Sequence, residues 1–324
     1  MDPQTSRIDL SSLTTAVDGI RAEVGNVIVG QQQTVDLLLT ALLANGHVLI
    51  EGVPGVAKTL TARLLAKTMS VGFSRIQFTP DLMPSDVLGT SVFMPKTGDF
   101  SFRQGPIFSN LVLIDEINRA PAKTQAALFE VMEERQITND GTTYRLEEPF
   151  MVLATQNPIE HEGTYRLPEA QLDRFLFKIV VGYPAPAEEI DILRGHHQRG
   201  SLIEAIDAVR PVLDAGQLAS LRGQVHQVHV EDNLFSYIAQ IVQATRANKS
   251  LYLGASPRAS LALLNSAKAL ATLRGRDFIT PEDVQFLAAP VLRHRVLLTP
   301  DREMEGGTAD DVIAQVVQKI EVPR

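Results

Sequence analysis

A glycine-containing turn between an apolar run and a helical run constrains this sequence most. The apolar run HVLIEG ends at Gly52, and the segment EGVPGVAKTL (51–60) leads into the helical run. A phosphate-binding loop has the pattern G-x-x-x-x-G-K-[ST], in which backbone N–H groups and a helix N-terminus surround phosphates. Gly52, Lys58 and Thr59 match that pattern, whereas Ala57 replaces its second glycine. The turn therefore predicts a strand, a nucleotide-binding loop and a helix in that order.

The chemistry of phosphate and magnesium gives the residues of this loop separate roles. Lys58 is expected to contact the β- and γ-phosphates, and the Thr59 hydroxyl to hold Mg²⁺. Glycine is required only where φ is positive or where a Cβ does not fit, and we expect Ala57 to have a negative φ at the helix start. Taken alone, the pattern also fits a glycine-rich strand–helix turn with an exposed lysine. The residues expected to bind the nucleotide here are Gly52, Val53, Pro54, Gly55, Val56, Ala57, Lys58, Thr59 and Leu60.

Five short apolar runs alternate with helical stretches in the first part of the chain. The strand candidates lie at 47–52, 73–78, 110–116, 149–157 and 174–181. The third and fourth runs are almost continuously apolar, which is typical of strands buried on both faces. The alternation predicts an α/β fold with a five-stranded parallel sheet and helices on both faces. We expect the fourth strand to lie between the first and the third.

Two segments interrupt the alternation, and the C-terminal part shows helical patterns only. Segments at about 91–105 and 136–149 alternate around turns and predict two inserted β-hairpins. The later helices predict a bundle. We therefore expect a nucleotide-binding domain at 1–184, a connecting helix and linker at 185–212, and an all-α domain at 213–324.

Helix starts are marked in the C-terminal part by capping residues. We expect Asp232 to cap one helix, and Ser256 and Thr280, each followed by a proline, to begin two more. A final helix is expected after Thr308. These signals support an all-helical C-terminal domain.

Polar residues follow the third and fourth strands, at the edge where parallel sheets bind ligands. Asp115 and Glu116 end the run LVLIDE, and Asn157 ends VLATQN. Two carboxylates directly after apolar residues are costly unless cations face them. We expect Asp115 to hold Mg²⁺ through water, Glu116 to polarise the attacking water, and Asn157 to position that water against the γ-phosphate. The alternative is that these residues only end strands.

Six motifs in order extend this interpretation: EGVPGVAKT, LIDEINRAP, EVMEERQ, VLATQNP, EGTYRLPEAQLDRF and GASPRA, which run from residue 51 to residue 259. Together they resemble the MoxR family of AAA+ ATPases over essentially the whole chain. The resemblance implies a P-loop AAA+ core followed by an all-α lid domain, and ATP hydrolysis with Mg²⁺. It also implies a homo-oligomeric ring, usually a hexamer, with ATP between neighbouring subunits. Alanine before the loop lysine is the usual form in this family.

The resemblance also assigns residues outside the loop. Arg174 matches the arginine that one subunit inserts into its neighbour's ATP site, and Arg258 matches the second sensor, which the lid carries. Val29, in NVIVGQQ, matches the segment that packs on adenine. The alternatives are that Arg174 pairs with Asp173 or Glu169, and that Arg258 is a solvated arginine.

Composition and charge separate the remaining classes of function. The chain has no cysteine, which excludes thiolate metal sites and a disulfide framework. Its net charge is −8, and the hairpin segments carry only Lys96, Arg103 and Arg145 as basic residues, so a nucleic-acid motor is kept only as the alternative. No signal peptide and no apolar run of ~20 residues is found, so we expect a cytoplasmic protein without a membrane span.

The resemblance also implies that the chain acts on a protein client, such as one with a von Willebrand factor A domain. The two inserted hairpins would face that client.

Overall fold

The computed structural model describes residues 8–53, 55–157, 165, 167–199 and 201–323. The helices are α1 (Ser11–Gly25), α2 (Gln32–Leu43), α3 (Lys58–Thr68), α4 (Pro84–Leu88), α5 (Ala122–Glu134), α6 (Glu169–Leu172), α7 (Pro186–Arg199), α8 (Leu202–Ala208), α9 (Ala215–His226), α10 (Asp232–Ala247), α11 (Pro257–Leu273), α12 (Pro281–Leu292), α13 (Pro300–Met304) and α14 (Ala309–Lys319). The strands are β1 (His47–Gly52), β2 (Phe73–Gln77), β3 (Gly89–Met94), β4 (Asp99–Gln104), β5 (Leu111–Asp115), β6 (Gln136–Asn139), β7 (Thr142–Arg145), β8 (Met151–Gln156), β9 (Phe175–Val181), β10 (Leu251–Leu253) and β11 (Leu297–Leu298).

Five strands form one sheet in the order β2-β5-β8-β1-β9, and every neighbouring pair is parallel. Each of the five predicted runs contains one of these strands, and β8 lies between β1 and β5, as predicted. Alternate side chains enter two separate cores: Val48 and Ile50 pack with α1, α2 and α3, whereas Leu49 packs with α5 on the other face. The predicted α/β architecture with helices on both faces is confirmed.

Two antiparallel hairpins, β3–β4 and β6–β7, stand outside this sheet. The second is shorter than the predicted segment, because β7 ends at Arg145. The rings of Phe102 and Tyr144 stack with centroids 4.5 Å apart, and the Ser91 hydroxyl donates to Asp140 Oδ2 at 2.5 Å. The two hairpins therefore contact each other through both apolar and polar side chains.

The helices α9–α14 form a second layer, called the lid below. The expectation of helices alone is wrong in one respect, because β10 and β11 form a small antiparallel sheet within it. Strands of two and three residues are too short to show a period in the sequence. Asp232 does not cap α10, since Glu231 occupies the cap position without a side-chain hydrogen bond. Ser256, Thr280 and Thr308 occupy the N-cap positions of α11, α12 and α14, so these three predicted helix starts are confirmed.

No helix within the described ranges is long and apolar enough to cross a membrane.

The first residue of β1, His47, is buried. His47 Nδ1 accepts a hydrogen bond from the Val152 N–H at 2.9 Å, and Nε2 donates to the Met132 carbonyl at 3.1 Å, so the imidazole is neutral. Burial lowers the pKa of His47 to about 4. The bond to Met132 opposes this shift, and the charges of Arg135 and Arg222 add to it.

Acid should therefore destabilise the fold through His47. An unfolded histidine has a pKa of about 6.5, so the unfolded chain takes up the proton first as the pH falls. The contribution of His47 is constant above about pH 6.5, and the free energy of unfolding should fall by about 1.4 kcal/mol per pH unit towards about pH 4. Urea titrations across this range should show a smaller pH slope for His47→Gln, because glutamine carries no proton to take up. Equal slopes in the two proteins would contradict the assignment.

Candidate nucleotide-binding site

The lysine that begins α3 contacts the end of β1. Lys58 Nζ donates to the Gly52 carbonyl at 2.6 Å, so the ammonium lies over the loop. A Cβ on Gly52 would lie 2.6 Å from the Val181 carbonyl oxygen, and Gly55 has φ +87°, so both positions need glycine. The predicted loop residue Pro54 lies outside the described residues, as does Arg166 in the later motif.

The backbone of Ala57 contradicts one expectation. Ala57 is the N-cap of α3 and has φ 56° and ψ 21°, a left-handed conformation rather than the expected negative φ. The chain turns at this residue into the helix, and the Ala57 carbonyl accepts hydrogen bonds from the Thr61 N–H and Thr61 Oγ1. A residue with a Cβ costs about 1–2 kcal/mol in this conformation. Ala57 therefore occupies the position where the usual motif has glycine for a conformational reason.

The Asp115 carboxylate at the end of β5 is buried and held on both oxygens. Oδ1 accepts a hydrogen bond from Thr155 Oγ1 at 3.1 Å, and Oδ2 accepts one from Arg75 Nε at 2.6 Å. Thr155 Oγ1 also accepts the Glu116 N–H at 3.1 Å. Since a buried carboxylate is costly without partners, these contacts fix the carboxylate predicted to hold Mg²⁺.

Glu116 follows directly with a left-handed backbone, φ 58°. Its Oε2 accepts from Gln77 Nε2 at 2.8 Å and lies 3.0 Å from Arg119 Nε. Sequence reasoning missed Arg75 and Gln77 as partners of the two carboxylates. The signal is in the alternation of FSRIQF, which puts these two polar side chains on the same face of β2.

The remaining predicted residues of the phosphate site lie at the same edge of the sheet. Asn157 directly follows β8 and is buried, and Thr59 lies in the first turn of α3 and is half-buried. The carboxyl ends of β1, β8 and β5 are neighbours. The structure thus brings Lys58, Asp115 and Asn157 to one edge of the sheet.

A cavity of about 640 Å³ adjoins the loop, large enough for a nucleoside. Its walls come from the segment before α2, the loop, the end of β9, and helices α7 and α8. Five of the residues predicted to bind nucleotide line it: Val29, Gly55, Val56, Ala57 and Leu60. Among its other lining residues are Tyr183, Ile192 and Leu202, to which sequence reasoning gave no role.

Arg174 and Arg258 lie together, away from the loop. Arg258 Nη2 lies 3.1 Å from Glu133 Oε1, and Arg174 Nε lies 3.9 Å from Glu133 Oε2. Arg174 also donates to the Phe129 carbonyl. Arg174 directly precedes β9, at the amino end of a strand that runs parallel to β1. Both arginines are therefore placed at the sheet edge opposite to the loop, and Glu133, which sequence reasoning missed, holds them there.

This parallel sheet, with a glycine loop and a lysine after a central strand, defines a P-loop nucleotide-binding protein. The family described as ATPase family associated with various cellular activities (AAA) matches residues 47–177, and the AAA lid domain matches residues 243–316.

Known proteins resemble the chain over most of its length. It is 48% identical to YeaC of Bacillus subtilis (93% of this chain, 92% of that protein). It is 46% identical to Chaperone MoxR1 of Mycobacterium tuberculosis (93% and 81%) and 32% identical to Protein MoxR of Paracoccus denitrificans (87% and 88%). A solved structure from Cytophaga hutchinsonii, 41% identical, superposes with a TM-score of 0.88 over 97% of both chains. The chain belongs to the MoxR family of AAA+ ATPases.

The left-handed backbone makes Ala57→Gly a stabilising change. Glycine adopts this conformation without the Cβ penalty, so the free energy of unfolding should rise by about 1 kcal/mol. Ala57→Val should lower it and weaken ATP binding, because a β-branched side chain fits this conformation poorly. The matched control is Ala126→Gly in the exposed middle of α5, which should lose about 1 kcal/mol. Equal losses from glycine at both positions would refute the left-handed assignment.

Proposed function

We propose that this protein binds ATP with Mg²⁺ at the loop and hydrolyses it between neighbouring subunits of a ring. The observation that carries the proposal is the separation of the loop from Arg174. The loop follows the carboxyl end of β1, whereas Arg174 precedes the amino end of the adjacent parallel strand β9. The seven residues of β9 span about 23 Å, beyond the reach of an arginine side chain. Arg174 therefore acts on the nucleotide of another copy.

The loop suits a phosphate chain in three ways. The lack of a Cβ at Gly52 lets the loop leave β1 close to the Val181 carbonyl, and the N-terminus of α3 presents backbone N–H groups and a positive dipole. On ATP binding, Lys58 gives up its hydrogen bond to the Gly52 carbonyl and contacts the β- and γ-phosphates, which carry a stronger negative charge. Thr59 and Asp115 supply the oxygen ligands that Mg²⁺ prefers. Bound Mg²⁺ neutralises charge on the phosphates.

Hydrolysis then depends on groups that the sheet edge and the neighbouring subunit provide. The Glu116 carboxylate, held by Gln77 and Arg119, orients and polarises the attacking water. Asn157 positions that water against the γ-phosphate. Arg174 and Arg258 of the neighbouring subunit leave Glu133 and neutralise the charge that develops in the transition state. Related arginines supplied from a second chain accelerate phosphoryl transfer by factors on the order of 10³–10⁵.

We infer that the protein forms a hexameric ring in the cytoplasm and uses the free energy of ATP hydrolysis to remodel a partner protein. A relative is named a chaperone, which supports a protein client, such as one with a von Willebrand factor A domain. The joined hairpins expose Phe93 and Phe100, whose ring centroids lie 5.3 Å apart, as an apolar contact for such a client.

Glu116→Gln should separate binding from hydrolysis. The variant keeps the loop and Asp115, so ATP affinity should stay within about threefold, whereas phosphate release should fall by on the order of 10²-fold or more because the amide cannot polarise water. Isothermal titration with ATP and a phosphate-release assay check the two parts.

The matched control is Glu130→Gln, on the exposed face of α5. It removes a carboxylate of the same type and should change neither quantity. Undiminished phosphate release by Glu116→Gln would show that another group activates the water.

A further inference from the structure

One buried arginine of the lid holds the chain on both sides of Arg174. Arg295 follows α12, and only 4% of its side chain is exposed. Its Nε donates to Asp173 Oδ1 at 2.7 Å, and its Nη2 donates to the carbonyls of Asp173 at 3.1 Å and Phe175 at 2.6 Å. Its Nη1 donates to the Leu176 carbonyl at 3.1 Å. The residues before and after Arg174 are thus bound by the same guanidinium.

Asp173 also contacts a second element of the lid. Ser256 Oγ, at the start of α11, donates to Asp173 Oδ2 at 3.1 Å. Arg258, two residues further on, shares Glu133 with Arg174. The carboxylate of Asp173 therefore links the start of α11 and the residues after α12 to the segment that carries Arg174.

The number and arrangement of the acceptors around residue 295 require an arginine. A guanidinium presents five N–H donors in a fixed plane, so it can bind a carboxylate and several carbonyls at once. A lysine has one nitrogen and leaves some of these acceptors without a donor. A buried charge pair of this kind gives geometric specificity only when its hydrogen bonds are complete.

We propose that Arg295 is a positioning residue for hydrolysis, which fixes Arg174 for the ATP site of the neighbouring subunit. The inference rests on the proposed function, since it needs a site shared by two subunits. If Arg295 only fastened the lid to the sheet, its substitution would lower the ATPase activity equally in the subunit that binds ATP and in the subunit that supplies Arg174.

Mixed rings test the shared site first. A Glu116→Gln subunit keeps Arg174 but cannot hydrolyse, and an Arg174→Ala subunit keeps Glu116 but supplies no arginine. Each alone should be nearly inactive, whereas rings of both should recover ATPase activity at interfaces that combine the two intact residues. Without recovery in rings shown to contain both subunits, the proposed function fails and the role of Arg295 falls with it.

Arg295→Lys is then placed in one subunit type at a time. In the Glu116→Gln subunit, which supplies Arg174, it should lower the kcat of the recovered activity by on the order of 10- to 100-fold, because small displacements of a catalytic group are that costly. KM for ATP should stay within about twofold, since ATP binds to the other subunit. In the Arg174→Ala subunit the same change acts on a chain that supplies no arginine, so most of the recovered rate should remain.

A second variant and a control complete the design. Asp173→Asn keeps the size of the side chain but removes its charge, and should show the same one-sided loss. Arg302→Lys changes a partly exposed arginine of α13 that pairs with Glu305, and should have no effect in either subunit. Recovery of activity followed by equal losses in both placements, or by no loss, would overturn the positioning role while leaving the shared site intact.

Discussion

The edge strand β9 ties together the parts on which the site depends. On one side it pairs with β1, whose carboxyl end leads into the loop before Lys58. Three successive lid residues, Arg293, His294 and Arg295, donate hydrogen bonds to its carbonyls. Edge strands carry backbone groups without a strand partner, and here the lid satisfies part of them. The loop, the lid and Arg174 at the start of β9 are therefore held by one element.

Two of the non-glycine residues with a left-handed backbone lie at the sheet edge where we place the chemistry. Ala57 and Glu116 have φ values of 56° and 58°, in a region that costs about 1–2 kcal/mol for residues with a Cβ. Such conformations persist only where the surrounding structure imposes them, and they concentrate at functional sites. One turns the chain into the helix that begins with Lys58, and the other aims the carboxylate that we assign to the attacking water. Packing of β1 and β5 in the two cores supports both turns.

Much of the sheet, and the edge at which the proposed phosphate-binding residues lie, could be predicted from sequence because each depends on a local pattern. Apolar runs marked the strands, and the residues that follow them share one edge by the geometry of parallel strands. The conformation of Ala57 could not be predicted, since a residue at a helix start looks alike in sequence whether its φ is positive or negative. The pairing of Arg75 with Asp115 needs the neighbouring order of β2 and β5. The contact of Arg295 with Asp173 joins residues far apart in the chain, and no motif marks it. The proposed domain boundaries stay a prediction.

The central claim is that hydrolysis needs two copies of the chain, and its dependence on protein concentration tests it most directly. Phosphate release per subunit would be measured at saturating ATP and Mg²⁺ over a dilution series, with the mass of the particles followed by sedimentation. A shared site predicts that the rate per subunit falls towards zero as rings dissociate, while ATP binding to the loop persists. A constant rate per subunit in dilutions that contain only monomers would contradict it.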